Sequence, residues 1–149
     1  MQPQPPGPPD DDLRRVQAGV QRIGRAMLAA SPPGWIRLDL LARVSVDYQE
    51  LVLHSARPDG TVGQIPISAE LQAAVLDLRR GMYAPSIGAW LSARITADPP
   101  MQLQLNLNYN DDPLWTTPPP AQAYHHDLRA YPRPPELVLD WLRERLALV

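Results

Sequence analysis

His125, His126 and Asp127 stand side by side and are the first place to look for chemistry. A carboxylate beside an imidazole can hold it as a base, but nothing nearby is marked out as the nucleophile it would serve. Adjacent histidines also share a metal ion poorly, since helical ligand pairs sit three or four residues apart. They read as solvent-exposed loop histidines, and His54 as a polar cross-strand residue. Asp111-Asp112 offers oxygen ligands to a hard cation. No third ligand follows in phase, and a turn cap is the simpler reading. Cysteine and lysine are both absent, which removes thiol nucleophiles, thiolate metal sites, Schiff bases and P-loops. There is no Gly-x-Ser-x-Gly elbow and no Gly-x-Gly-x-x-Gly turn. The reading is of a chain with no catalytic residues, no metal ligands and no cofactor, an enzyme centred on the His125–Asp127 cluster being the least favoured reading.

The elements that would position any site fit one domain. The chain has 149 residues, 44% of them apolar and 20% charged, enough for a core of its own. Its net charge of −2 lacks the basic footprint of a general nucleic-acid binder. No apolar run approaches the roughly 20 residues that span a bilayer, and Met1 to Pro9 has no signal-peptide character. A cytoplasmic location is expected. All 14 cationic side chains are arginine, which agrees with G+C-rich bacterial coding. Residues 1–9 read as a disordered proline-rich tail, and 10–149 as a single domain.

Asp10, Asp11 and Asp12 can cap a helix that runs to about Ala30, with Leu13, Val16, Val20, Ile23 and Met27 as its apolar stripe. From Trp35 the period becomes two as far as Tyr48, a long strand followed by a turn near Gln49. Leu51–Ala56 and Val62–Ile67 read as two more strands, the latter at an edge because Pro66 cannot donate to a ladder. Ser68 caps a second helix that carries Glu70 in its first turn, with Arg79 and Arg80 near its end and Gly81 just beyond. Gly88–Thr96 and Met101–Asn110 form a hairpin whose second strand alternates leucine with neutral amides. A proline-rich crossing, a helical turn around Tyr124 to Arg129 and a last helix from Pro134 or Pro135 complete the chain. The expected class is α+β: an antiparallel sheet of about five strands with helices on one face, in the order α-β-β-β-α-β-β-α.

Extending the strand parities gives the outward face its composition. Trp35, Arg37, Asp39 and Arg43 fall on it, as do Trp90, Ser92, Arg94 and Thr96, with Gln102, Gln104, Asn106 and Asn108. Tryptophan and arginine anchors among amides suit a protein-binding surface. The competing expectation is that the segment bearing Trp115, Tyr124 and Tyr131 folds over part of this face and buries the tryptophans; both readings hold together if one end is covered and one open. The candidate partner-binding residues are Trp35, Arg37, Trp90, Arg94, Gln102, Gln104, Asn106 and Trp115.

An ordered set of short motifs spans Leu13 to Leu146: Gly34-Trp35, Leu78-Arg79 with Met82-Tyr83, Gly88-x-Trp90, Tyr109-Asn110 with Pro113-x-Trp115, Leu128 with Tyr131-Pro132-Arg133, and Trp141-Leu142. The set resembles the YezG-type immunity (antitoxin) family, in its actinobacterial branch associated with toxins of the tuberculosis-necrotizing type. The resemblance implies a small α+β protein that neutralises a cognate protein toxin, here an NAD-hydrolysing one, by direct binding. It implies no catalytic residues. Trp90, Trp115, Tyr131, Arg133 and Trp141 match its pattern, as contacts or as core and corner residues. The alternative is a non-catalytic interaction module or adaptor, homodimeric through the same face, or a domain of a larger polymorphic toxin.

Overall fold

A computed structural model describes residues 9–148, and the side chains from Asp12 onward. Of the expected tail at residues 1–9, residues 1–8 lie outside what is described, while Pro9 already belongs to the first helix; the side chains of Asp10 and Asp11, and so their capping role, also lie outside it. Helix α1 spans Pro9–Ala30, and strands β1, β2 and β3 follow at Arg37–Val44, Gln49–Ala56 and Val62–Ile65. Helix α2 occupies Ala69–Met82, and the hairpin strands β4 and β5 are Ser92–Asp98 and Gln102–Asn108. Helix α3 (Ala121–Ala130), a 3-10 turn (Pro135–Leu137) and helix α4 (Asp140–Leu146) close the chain. All neighbouring strands are antiparallel, in the order β3-β2-β1-β4-β5. The expected α+β class and element order hold, with α3 a full helix rather than a turn.

One face of the sheet and the inner sides of α1 and α2 make the core. The three-and-four spacing of α1 places Ile23 and Met27 fully inside it, together with Leu38, Leu40, Leu53 and Ile95. Each such side chain contributes roughly 1.5–3 kcal/mol. Leu13, at the other end of the predicted stripe, is mostly exposed. Ser68 caps α2 as expected, its hydroxyl accepting from the Leu71 N–H at 3.1 Å.

Several boundaries differ from the sequence reading, β3 among them, which stops at Ile65 rather than Ile67. The long first strand stops at Val44 because Ser45 bends the chain: its N–H donates to the Tyr48 carbonyl at 2.7 Å, and its hydroxyl accepts from the Tyr48 N–H. The hairpin begins at Ser92 rather than Gly88. Residues Ala84 to Gly88 form a separate turn, with Gly88 at φ 85°, where an added Cβ would lie 2.6 Å from Arg133 Cγ. Gly81 lies inside α2, whose cap is Tyr83.

Two glycines therefore respond oppositely to alanine. A Cβ at Gly24 would sit 2.7 Å from Leu103 Cδ1 and 3.1 Å from Cδ2, where α1 crosses β5. Overpacking of about 1–3 kcal/mol outweighs a helix gain of about 1 kcal/mol, so Gly24→Ala should lower stability in urea denaturation. A Cβ at Gly81 meets nothing within 4 Å. Gly81→Ala should raise stability by about 0.5–1 kcal/mol in the same measurement.

Candidate functional site

The sheet face turned away from α1 and α2 is built by the alternate residues of all five strands. Register aligns Gln64, His54, Asp39, Thr96 and Gln104 in one row. The next row holds Val52, Leu41, Arg94 and Asn106, and the one beyond it Glu50, Arg43, Ser92 and Asn108. His54, Gln64, Arg94, Gln104 and Asn106 are exposed. Leu41 and Val52 are half-buried between their long neighbours, as any residue in mid-sheet must be.

The charges on this face are matched within it. Arg94 donates to both Asp39 oxygens, at 3.0 and 2.5 Å, and Arg37 to both Asp98 oxygens, at 2.9 and 3.0 Å. Both guanidinium groups remain more than half exposed. Hydrogen bonding from Arg37 holds the Asp98 carboxyl below its ordinary value, and bonding to Asp39 raises the affinity of Arg94 for its proton. The contribution of the Arg37–Asp98 pair is therefore present at neutral pH and is lost as pH falls through the depressed carboxyl value. Such surface pairs add little stability. Their effect is to hold two arginine forks in fixed orientations.

One end of the face is covered and the other open. The segment from Pro113 to Thr116 crosses the last row: Arg43 Nε donates to the Pro113 carbonyl at 2.7 Å, and the Thr116 N–H to the Glu50 carboxylate at 3.1 Å. This segment is tied at both sides. Asn108 Oδ1 accepts the Asp111 N–H, Asp112 accepts the Leu114 N–H and also pairs with Arg145, and Trp141 Nε1 donates to the Asn110 carbonyl. Between these ties Leu114 sits at φ 57°, the one non-glycine residue with positive φ among those described, and is 74% exposed. A leucine forced into the left-handed region costs about 1–2 kcal/mol. That cost is carried at a side chain left in solvent, on the segment that crosses the last row of the face.

The eight sequence candidates divide accordingly. Arg37, Arg94, Gln102, Gln104 and Asn106 lie exposed on the face. Trp115 is half-buried in the crossing segment. Trp90 and Trp35 are corrections. Trp90 is 0% exposed, inside the core, because strand parity fails in the irregular stretch before Ser92. Trp35 packs against the core cluster because the chain bends at Ile36, just before β1 starts, leaving Ile36 outside instead.

At the end of the sheet lies a contact with no local signature in the sequence. Arg79, 2% exposed, forms a two-pronged pair with Asp127, both bonds at 2.8 Å. Arg79 Nε donates to the Trp90 carbonyl, and Asp127 also accepts the Val46 N–H at 2.9 Å. The guanidinium lies 5.0 Å from the Tyr131 ring centre, and the Tyr131 and Tyr83 rings meet tilted at 60°, their centres 5.2 Å apart. Arg133 donates to the carbonyls of Leu137, Ala89 and Tyr109, and burial disfavours its charged form. This knot joins α2, α3, the β1–β2 turn and the stretch before β4.

The histidines do not converge. His125 Nε2 meets the Leu146 carbonyl at 2.8 Å, His126 Nδ1 meets Asp47 at 2.7 Å, and Asp127 turns inward to Arg79. Successive helical side chains leave the axis in different directions, so no shared pocket forms from the three. Both histidines are half-buried and hydrogen-bonded, rather than loop residues in solvent. Among the described residues, no three His, Asp or Glu side chains gather as a metal-binding group, and no helix is long and apolar enough to cross a membrane. No protein-family model matches the chain, and no curated protein matches it at a significant level.

Proposed function

We propose that this chain is a protein-binding inhibitor of the immunity type, neutralising a cognate protein toxin by docking the open end of its sheet face and the adjoining rim. The observation that carries the reading is the ordered face itself, with its two pre-oriented arginine forks, exposed amides and the strained Leu114 at its border. Side chains already held in place lose little freedom on binding, which favours affinity. An apolar residue beside arginine and amide groups has the make-up of an interface centre. Strain kept at an exposed residue is a mark of a site where function outweighs stability. The class of partner follows from the resemblance of the ordered motifs to immunity proteins, and an NAD-hydrolysing toxin is the first to try. The motif residues Trp90, Tyr131, Arg133 and Trp141 serve the scaffold in this reading, and inhibition is by occupancy, with no reaction catalysed.

The test compares protection and binding against the toxin encoded beside this chain. Arg94→Glu sets a carboxylate against Asp39 and reverses one fork. It should weaken binding by about tenfold or more, on the scale of a single interface anchor, and reduce protection of cells expressing the toxin. Equal binding and protection by Arg94→Glu and the parent would remove this face from the account.

A further inference from the structure

We infer that two copies of this chain join through β5, in a two-fold antiparallel pairing centred on Leu105 that makes one continuous sheet. This goes beyond the toxin-binding reading and does not rest on it.

The two edges of the sheet differ. Strand β3 is four residues long, contains Gly63 and is followed directly by Pro66, features that discourage pairing with another chain. Strand β5 has seven residues and is bonded only to β4. Met101 to Asn110 contains no charge, no proline and no glycine. The other long strands carry Arg37, Asp39 and Arg43, Glu50, or Arg94 and Asp98. The edge that most needs protection against pairing has none of the usual devices.

A second copy suits this edge better than an unrelated strand, because Gln-Leu-Gln-Leu-Asn-Leu-Asn is symmetric in kind about its centre. A two-fold axis through Leu105 sets Gln102 opposite Asn108 and Gln104 opposite Asn106 of the second copy, amide against amide. On the core side it sets Leu103 opposite Leu107, Leu105 opposite itself and Met101 opposite Tyr109. No like charges meet at any position, as an isologous interface requires. The leucines, Met101 and Tyr109 are only half-buried in the single chain. A groove of about 430 Å³ between α1 and β5, lined by Gln17, Val20, Gln21, Arg25, Met101 and Leu103, opens along the same edge. Tyr109 of the second copy falls opposite Met101, at its mouth. The helices of both copies stay on one side of the joined sheet, and both open faces lie on the other.

The experiment is sedimentation velocity on the full chain across the micromolar range, without toxin. The parent should sediment as a dimer of twice 16.6 kDa. Gln104→Lys with Asn106→Lys places lysines against lysines across the axis, and Gln104→Glu with Asn106→Glu places carboxylates against carboxylates. All four substitutions lie at exposed positions, so circular dichroism should remain that of the parent. Each variant alone should dissociate at least about tenfold more readily, and an equimolar mixture of the two should dimerise again. A parent that stays monomeric throughout overturns the inference. So do like-charged variants that stay dimeric, and a mixture that fails to reassociate.

Discussion

Asp127→Ala is expected to lower folding stability by about 3–5 kcal/mol, and the melting temperature by about 10 °C for a chain of this length. The change leaves the Arg79 guanidinium, 2% exposed, without its counter-charge. A buried charge stripped of its partner costs more than the intact pair contributes, because the desolvation already incurred is no longer offset. The Val46 N–H also loses its acceptor, in a turn that sets where β1 ends. Asp127→Asn keeps the shape and one oxygen acceptor but not the charge, and should fall between. Arg79→Met with Asp127→Leu removes both charges together. It should be less destabilised than the single changes Arg79→Met and Asp127→Leu would lead one to expect, with a coupling of about 2 kcal/mol in the double-mutant cycle. Full recovery is not expected, since the Trp90 carbonyl and Val46 N–H are orphaned in the double variant. Urea denaturation of the parent, Asp127→Ala, Asp127→Asn and the three variants of the cycle decides the matter. An Asp127→Ala variant within 1 kcal/mol of the parent would mean that this knot does not hold the end of the sheet.

Trp90→Ala is the second large effect, at about 3–5 kcal/mol. The indole is wholly buried in the same core as Ile95, Leu40 and Val75, and its removal leaves a cavity that neighbours on rigid strands can only partly fill. Its ring N–H has no protein partner, so Trp90→Phe breaks no hydrogen bond and should cost much less. The pair of variants separates scaffold from contact. If Trp90 only supports the fold, Trp90→Phe should bind a partner as the parent does. A folded Trp90→Phe with parental stability but lost binding would place this residue at the interface after all.

Local chemistry made much of the architecture legible. Ser68 with Glu70 signals the start of α2, and the unbroken leucine and amide alternation from Met101 signals β5, because a cap and a period of two are properties of neighbouring residues. The open face was readable to the extent that parity held, which is why Arg37, Arg94, Gln102, Gln104 and Asn106 lie where expected. Parity cannot be carried across an irregular backbone. Bends at Ile36 and Leu91, just ahead of β1 and β4, shifted the phase and brought Trp35 and Trp90 to the core side. The Arg79–Asp127 pair joins residues 48 positions apart, and each has a plausible local role of its own, as a helix-end cation and a histidine's neighbour. Leu114 was also hidden, since its backbone conformation is imposed by the ties on both sides of it rather than by its own preference.

The central claim is that the ordered face and its rim are made for a protein partner, and Leu114→Asn tests it with stability and function pulling in opposite directions. Asparagine tolerates the left-handed region, so this exposed substitution should raise stability by about 1 kcal/mol. It also removes the apolar side chain from the rim, which should weaken the complex by about tenfold. The deciding measurement is calorimetric titration of a toxin of the proposed NAD-hydrolysing class with the parent and with Leu114→Asn, each first shown to be folded. The account predicts a tight complex of one inhibitor per toxin for the parent, and a weaker one for the more stable variant. Parental affinity in the variant, or no binding by the parent, would contradict it.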